Sequence, residues 1–199
     1  VYVVGNSTGD LLGHENSGGS DFFLAKFSSD GTRIWLKMVG TTGDDEARGI
    51  ALDTAGNPVV VGHSSGDLDG IASSLATDLF VTRFDGNGDQ LWTRMLGQAE
   101  LRSVLPPESI PTTAQMNQAR DIAIDTDGFI YVTGQSTGAT AGETDMVVAR
   151  LDAAGTLQWA KSYGGTWSDD SAAISLAENG PDPVVYVGGN KTTGTLNNE

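Results

Sequence analysis

Residues 78–92 read DLFVTRFDGNGDQLW, and the same arrangement occurs three times in this chain of 199 residues. In each copy an Asp precedes an apolar run that ends in a basic residue and a large apolar residue, and a Gly and then a Trp follow at fixed spacing. We call this arrangement the Asp-to-Trp string, and its other copies are residues 21–35 and 145–159. Because the three tryptophans lie 57 and 67 residues apart, the sequence predicts an array of repeated supersecondary units.

Each repeat contains four short runs of strand-forming residues. In the repeat that ends at Trp92 these runs are 48–53, 59–62, 79–84 and a fourth that carries the Trp. Turns rich in Gly, Asn and Asp separate the first run from the second and the third from the fourth, which is a hairpin signal, and no helical period competes with it. Four antiparallel strands in a unit of about 55 residues predict one blade of a β-propeller.

The same residues resemble the bacterial β-propeller repeat family called SBBP. Its units combine G-x-A-x-D-x-x-G-N, Y-V-x-G, D-x-x-x-x-K-[FL], a Gly turn and a Trp, and residues 49–57, 59–62, 78–84 and 88–92 fit that order. The last unit departs from the pattern, since Ala177 stands where earlier units have Asp. The resemblance implies a propeller fold and, together with the composition, a bacterial extracellular or cell-surface location.

We therefore predict an all-β fold, a partial β-propeller of four-stranded antiparallel blades with two complete and two partial blades. Complete blades are expected at 47–96 and 119–163. Partial blades are expected at 1–39, with strands two to four, and at 171–190, with strands one and two. Because propellers usually need four to eight blades to close, we expect these residues to be part of a larger ring or to be completed by another copy.

Composition removes several classes of function. A net charge of −15 and a pI near 4.2 disfavour nucleic-acid binding, because the chain repels a phosphate backbone. Cysteine is absent, which excludes disulfides and thiol chemistry. No stretch reaches the roughly 20 apolar residues of a membrane span. Cations, basic proteins and neutral glycans remain as partners.

The long segments of the repeats all fall on one face of the predicted blades. In a four-stranded blade, the loop between strands two and three lies on the same face as the link to the next blade. Segments 6–20, 63–77, 135–144 and 97–118 are of these two kinds. Binding residues concentrate on long loops held by a scaffold. The predicted partner-binding residues are the apolar ones of these loops: Leu11, Leu12, Ile71, Leu75, Leu105 and Ile110.

Acidic residues cluster on the same face, immediately before the first strand of two blades. They are Asp44, Asp45, Asp169 and Asp170. Clustered carboxylates suit Ca²⁺, and a calcium role predicts melting that a chelator shifts. In the alternative interpretation each Asp accepts hydrogen bonds from backbone amides and fastens one blade to the next. Residues 85–89 begin like a calcium loop but lack its later Gly and Glu, which favours a hairpin turn.

No catalytic constellation is evident. His14 and His63 are expected in loops at positions that are not equivalent, and the tryptophans of the repeats are expected to pack between blades. We expect a non-enzymatic scaffold or binding module of a bacterial secreted or cell-surface protein, whose loops meet a protein or glycan partner or other subunits of an assembly. The alternative is a propeller enzyme, a lyase or hydrolase or a quinoprotein, with a carboxylate site on the loop face. That alternative predicts a deep central pocket where carboxylates converge.

Overall fold

The computed structural model describes residues 1–70, 77–97, 101, 117–137, 144–164, 168–177 and 183–191. Within these residues the chain forms strands almost throughout, with a single turn of 3-10 helix at Leu68–Gly70. The strands are β1 Tyr2–Ser7, β2 Asp21–Phe27, β3 Arg33–Val39, β4 Asp45–Leu52, β5 Pro58–Ser64, β6 Asp78–Phe84, β7 Gln90–Leu96, β8 Asn117–Ile124, β9 Ile130–Thr137, β10 Thr144–Leu151, β11 Leu157–Tyr163, β12 Asp169–Ala177 and β13 Val184–Lys191.

Consecutive strands pair antiparallel and form separate sheets, which we call blades one to four. Blade one has the strand order β1-β2-β3, blade two β4-β5-β6-β7 and blade three β8-β9-β10-β11. Within the described residues, blade four consists of β12 and β13. The predicted partial propeller with two complete and two partial blades is therefore confirmed.

The first strands begin earlier than their sequences indicate. Asp45 pairs with Ser64 and Asn117 pairs with Ser136, so β4 and β8 each begin two residues before the predicted blade boundary. The acidic residues Asp45, Asp169 and Asp170, predicted to precede the first strands of their blades, are thus inside β4 and β12. The expectation that His63 lies in a loop is wrong, because His63 is in β5 and pairs with Glu46 on one side and Leu79 on the other.

Bulges recur at two fixed positions in the blades. In the first strands the register shifts at Arg48, at Arg120 and at Ala172, each of which is an extra residue without a partner on the second strand. The fourth strands have a similar shift that leaves Ile34 and Leu91 unpaired. Bulges re-aim side chains, and these two apolar residues are accordingly 56% and 54% exposed.

Successive blades pack face to face through apolar clusters. Phe22 of blade one stacks on Phe80 of blade two with ring centroids 5.1 Å apart. Between blades two and three the cluster includes Val61 and Val132, which are almost fully buried. Strand β8 contacts both β4 and β12. The first strands of successive blades are therefore neighbours, which places them nearest the propeller axis.

The repeated tryptophans pack on the turn of the following blade. A Cβ atom built on Gly88 would lie 3.0 Å from the Trp35 ring, and one built on Gly155 would lie 2.9 Å from the Trp92 ring. Both glycines have positive φ, 83° and 79°. Trp35 and Trp92 thus have the interblade packing that the sequence predicts, and the Gly of the Asp-to-Trp string is the surface they pack against.

The basic residue of the Asp-to-Trp string reaches the same turn. Lys26 Nζ donates to the Gly86 carbonyl at 2.9 Å, and Arg83 Nη1 donates to the Ala153 carbonyl at 2.9 Å. In both cases the donor belongs to one blade and the acceptor to the next. Trp and Lys or Arg on one blade therefore hold the Gly turn of its neighbour, and we call this set of contacts the interblade latch.

Candidate binding face

One face of the blades consists of short turns of common design. Asp85 Oδ1 accepts hydrogen bonds from the backbone N–H groups of Asn87 and Asp89, at 2.8 and 2.9 Å. The amide of Asp89 and then the other amides of the turn lower the pKa of the Asp85 carboxyl. Residues 85–89 thus form a hairpin turn. Turns with the same Asp-to-amide hydrogen bonds occur at 53–57, 125–129 and 152–156.

The opposite face carries the loop between β1 and β2, which many hydrogen bonds hold in place. Asn16 is its centre: its Nδ2 donates to the Ser7 and Gly19 carbonyls at 3.0 and 3.2 Å, and its backbone N–H donates to Asp10 Oδ1 at 3.0 Å. Asp21 Oδ2 accepts from the Ser17 N–H at 2.7 Å. These contacts fix both ends of the loop to the blade.

Leu12 is presented at the tip of this loop. Leu11 and His14 pair through two backbone hydrogen bonds of 2.9 and 3.0 Å, with Leu12 and Gly13 as the two central residues. Their φ angles are 53° and 89°, and Leu12 is 66% exposed whereas Leu11 is half-buried. A leucine in the left-handed region costs about 1–2 kcal/mol relative to an ordinary conformation. Since Leu12 buries little surface in return, the stability of the fold does not explain why a leucine is at this position.

The other predicted partner-binding residues lie outside the described residues. They are Ile71, Leu75, Leu105 and Ile110. Their role stays a prediction.

The aspartates at the start of blade two hold the blades together. Asp45 is fully buried, and its Oδ2 accepts hydrogen bonds from the backbone N–H and the hydroxyl of Thr41 at 2.6 and 2.8 Å. The Ser64 hydroxyl donates to its Oδ1. Asp44 Oδ1 accepts from the Ser20 N–H of blade one at 3.0 Å. Asp44 thus fastens blade two to blade one, and Asp45 fastens the link between them to blade two, which agrees with the structural interpretation.

The aspartates of blade four lie in another part of the fold. Asp169 is buried and Asp170 exposed, and both line a cavity of about 190 Å³ beside Met146 and Tyr163. Strand β8 separates them from Asp44 and Asp45, and at the corresponding position of β8 stands Asn117. In the described ranges no three His, Asp or Glu side chains converge as a metal site would require. Calcium binding stays a prediction.

A further polar group, which sequence reasoning missed, lies where blades two and three meet near the axis. It consists of Glu46, Arg48, His63 and Arg120, and we call it the axial cluster. Arg48 Nη2 donates to Glu46 Oε2, and His63 Nε2 lies 3.7 Å from the same oxygen. Burial, and then the Arg48 guanidinium, lower the pKa of His63, and Arg120 acts in the same direction. The repeated Ala-Arg pair at 47–48 and 119–120 was the available signal.

Four-stranded blades, recurrent latches and unequal loops define a β-propeller protein. Residues 112–139 match the SBBP family, described as a beta-propeller repeat, and residues 126–157 match DUF5122, described as a beta-propeller domain of unknown function. These matches confirm the resemblance to the SBBP β-propeller repeat family that the sequence indicated.

A curated relative is similar to part of the chain. "Regulatory protein FlaEY" of Caulobacter vibrioides (strain ATCC 19089 / CIP 103742 / CB 15) is 30% identical over 141 residues, which cover 67% of this chain and 13% of the relative. The chain thus spans only a small part of that protein's length. Among the described residues, no helix has the length and apolarity that crossing a membrane requires.

Proposed function

We propose that this chain is a non-enzymatic binding module of a bacterial secreted or cell-surface protein, and that the loop face binds a protein or glycan partner. The observation that carries the proposal is Leu12. It is exposed at the tip of a loop that Asn16 and Asp21 hold in place, in a backbone conformation that disfavours leucine. An unfavourable residue that nothing in the fold requires is best explained by a contact outside the fold.

The different roles of the turn face and the loop face support the same conclusion. Residues of the turn face take part in folding, because the latches of blades one and two contact the turns of blades two and three, as Trp35 contacts Gly88. On the loop face the repeats differ in length and sequence. Scaffolds of this kind commonly place binding residues in their variable loops.

The composition supports the proposed location, and the relative supports a role that depends on a partner. A net charge of −15 and the absence of cysteine suit a secreted or surface protein that does not bind nucleic acid. The similar segment in a protein named as regulatory is consistent with a module that acts through a partner, which includes another subunit of an assembly.

The replacement Leu12→Asn separates binding from folding. Asparagine accepts a positive φ more readily than leucine, so the variant should unfold at higher urea concentration, with about 1 kcal/mol more stability. We expect it to lose about tenfold or more in affinity for partners captured from an extract of the producing cells or on a glycan array.

Leu91→Asn is the matched control, since Leu91 is 54% exposed at a bulge near the turn face. It should retain the captured partners. Unchanged binding by Leu12→Asn, or equal losses in both variants, would refute the proposal.

A further inference from the structure

We propose that the axial cluster binds a small oxyanion, such as a phosphate or carboxylate group, through the guanidinium groups of Arg48 and Arg120. This site is separate from the loop tip at Leu12, and its ligand is of a different chemical kind. Four features carry the inference: the positions of the two arginines, the contacts of the other basic residues, an unpaired buried nitrogen of His63, and the residues that other repeats have at the same positions.

The fold brings the two arginines side by side. Arg48 and Arg120 are the bulge residues of β4 and β8, which are adjacent strands near the axis. A Cβ atom on Gly49 would lie 3.2 Å from the Asp121 Cα, so the residues that follow the two bulges are in contact. Neither arginine has a partner residue on the second strand of its own blade. The fold therefore places both bulge residues on adjacent strands at the inner edge of the same interface.

Arg48 and Arg120 are also less engaged than other basic residues of the chain. Lys26, Arg83 and Arg94 donate to turn carbonyls of the following blade. Among the described residues Arg48 pairs only with Glu46, two residues before it, and both side chains are partly exposed. Arg120 forms no ion pair within the same part of the chain. Two guanidinium groups at one site match the paired oxygens of a phosphate or carboxylate.

A buried polar atom without a partner lies in the same cluster. His63 is only 6% exposed, and its Nδ1 has no hydrogen-bond partner in the described ranges. Buried polar groups are nearly always paired, and Nδ1, when it carries the imidazole proton, is available to donate a hydrogen bond to an oxyanion that the arginines hold. His63 is on the same face of β5 as Val59 and Val61, which pack against blade three. Blade three, which carries Arg120 in β8, therefore lies on the side of β5 that bears His63.

The repeats show that folding does not require these charges. Ala172 is the bulge residue in β12, so a blade forms with alanine at the position of Arg48 and Arg120. Gln118 pairs with Gln135 as Glu46 pairs with His63, so a neutral amide serves at the position of Glu46. We therefore interpret Glu46 as an internal carboxylate that forms an ion pair with Arg48 until an external oxyanion competes for the guanidinium.

Inorganic phosphate is the probe, titrated at constant ionic strength with sodium chloride. Nuclear magnetic resonance of the arginine Nε–H groups follows the site directly. We expect saturable shifts at Arg48 and Arg120. Arg120→Ala should weaken phosphate binding about tenfold or more, since it removes charge-assisted hydrogen bonds to the anion. Glu46→Gln should tighten it, because it frees Arg48.

Arg33→Ala is the control, since Arg33 is an exposed residue of β3 far from the axial strands. It should bind phosphate as the parent does. Tryptophan fluorescence melts confirm that each variant is folded, which the presence of Ala172 and Gln118 at the equivalent positions leads us to expect. The proposal is overturned if phosphate causes no saturable shift, or if Arg120→Ala and Arg33→Ala weaken binding equally.

Discussion

His63 shows how one position in the repeats acquires an individual chemistry. The blades place a polar side chain here, Asn6 in blade one and Gln135 in blade three, and these amides hydrogen-bond to neighbouring strands. In blade two the residue is a buried imidazole beside Glu46 and Arg48. Burial is the main cause that lowers the pKa of His63, followed by the Arg48 guanidinium.

A lowered pKa makes His63 a source of acid sensitivity. In the unfolded chain a histidine binds a proton with a pKa near 6.5, whereas folded His63 resists protonation. The unfolded state therefore gains protons first, and stability falls as the pH drops through about 6.5 towards the lower folded pKa. We expect His63→Gln to lose less unfolding free energy than the parent between pH 8 and pH 5, as measured by urea denaturation. Equal losses would show that His63 is not the group responsible.

For single residues, the sequence reveals the residue types but not their surroundings. Gly, Ser and Asp after His63 indicate a loop, yet the strand continues through Ser64, whose hydroxyl donates to the buried Asp45 carboxylate. For Asp45 the sequence leaves two interpretations open, and the hydrogen bonds from Thr41 favour the structural one. Local pattern cannot decide such cases, because the same Asp could face solvent or accept these hydrogen bonds, and Ser64, which completes its pairing, is on another strand.

The interblade latch is the main device at the scale of strands and turns. It explains why Trp, Gly and a basic residue recur together, since Lys26 and Trp35 are paired across two strands of one blade and both reach the Gly turn of the next. Trp35 packs against Gly88, and Lys26 donates to Gly86, so the Asp-to-Trp string of blade one contacts the turn of blade two. Loss of the Gly should weaken the blade interface and not only the turn.

A pair of glycine replacements tests the latch. Gly31 and Gly88 are equivalent turn residues with φ of 85° and 83°, but only Gly88 of the two has a Trp ring against it, while Gly31 has open space around it. Gly31→Ala should cost about 1–2 kcal/mol for backbone strain alone. Gly88→Ala should cost about 1–3 kcal/mol more, because its Cβ displaces Trp35. Denaturant unfolding measures both, and equal costs would contradict the latch.

Strands and turns are predictable here because their signals are local. Alternating apolar residues and Asp or Gly turns identify the third and fourth strands of three blades, and the structure has them as β2 with β3, β6 with β7 and β10 with β11. The bulges that expose Ile34 and Leu91 have no such signal. A bulge depends on how two strands align, and the apolar character of both residues suggests burial instead.

For the whole molecule, repetition makes the architecture predictable and leaves the function to the differences between repeats. Blades two and three are each packed by a neighbour on both faces. Between blade three and strand β13 of blade four, Met146, Trp159 and Tyr163 line an apolar cavity of about 240 Å³. The residues that recur in every repeat serve the fold and do not identify a ligand. The axial cluster, by contrast, forms only at the interface between two particular blades.

The central claim, that partners bind the loop face and not the turn face, is tested most directly by photo-cross-linking. A benzophenone amino acid is placed singly at Thr8 or Glu15 on the loop face and at Ser29 or Thr54 on the turn face, all of which are exposed. Each variant is irradiated with an extract of the producing cells, and the adducts are counted by mass spectrometry. We predict specific adducts from Thr8 and Glu15 and none above background from Ser29 and Thr54. Adducts formed chiefly from the turn-face positions, or equally from both faces, would contradict the claim.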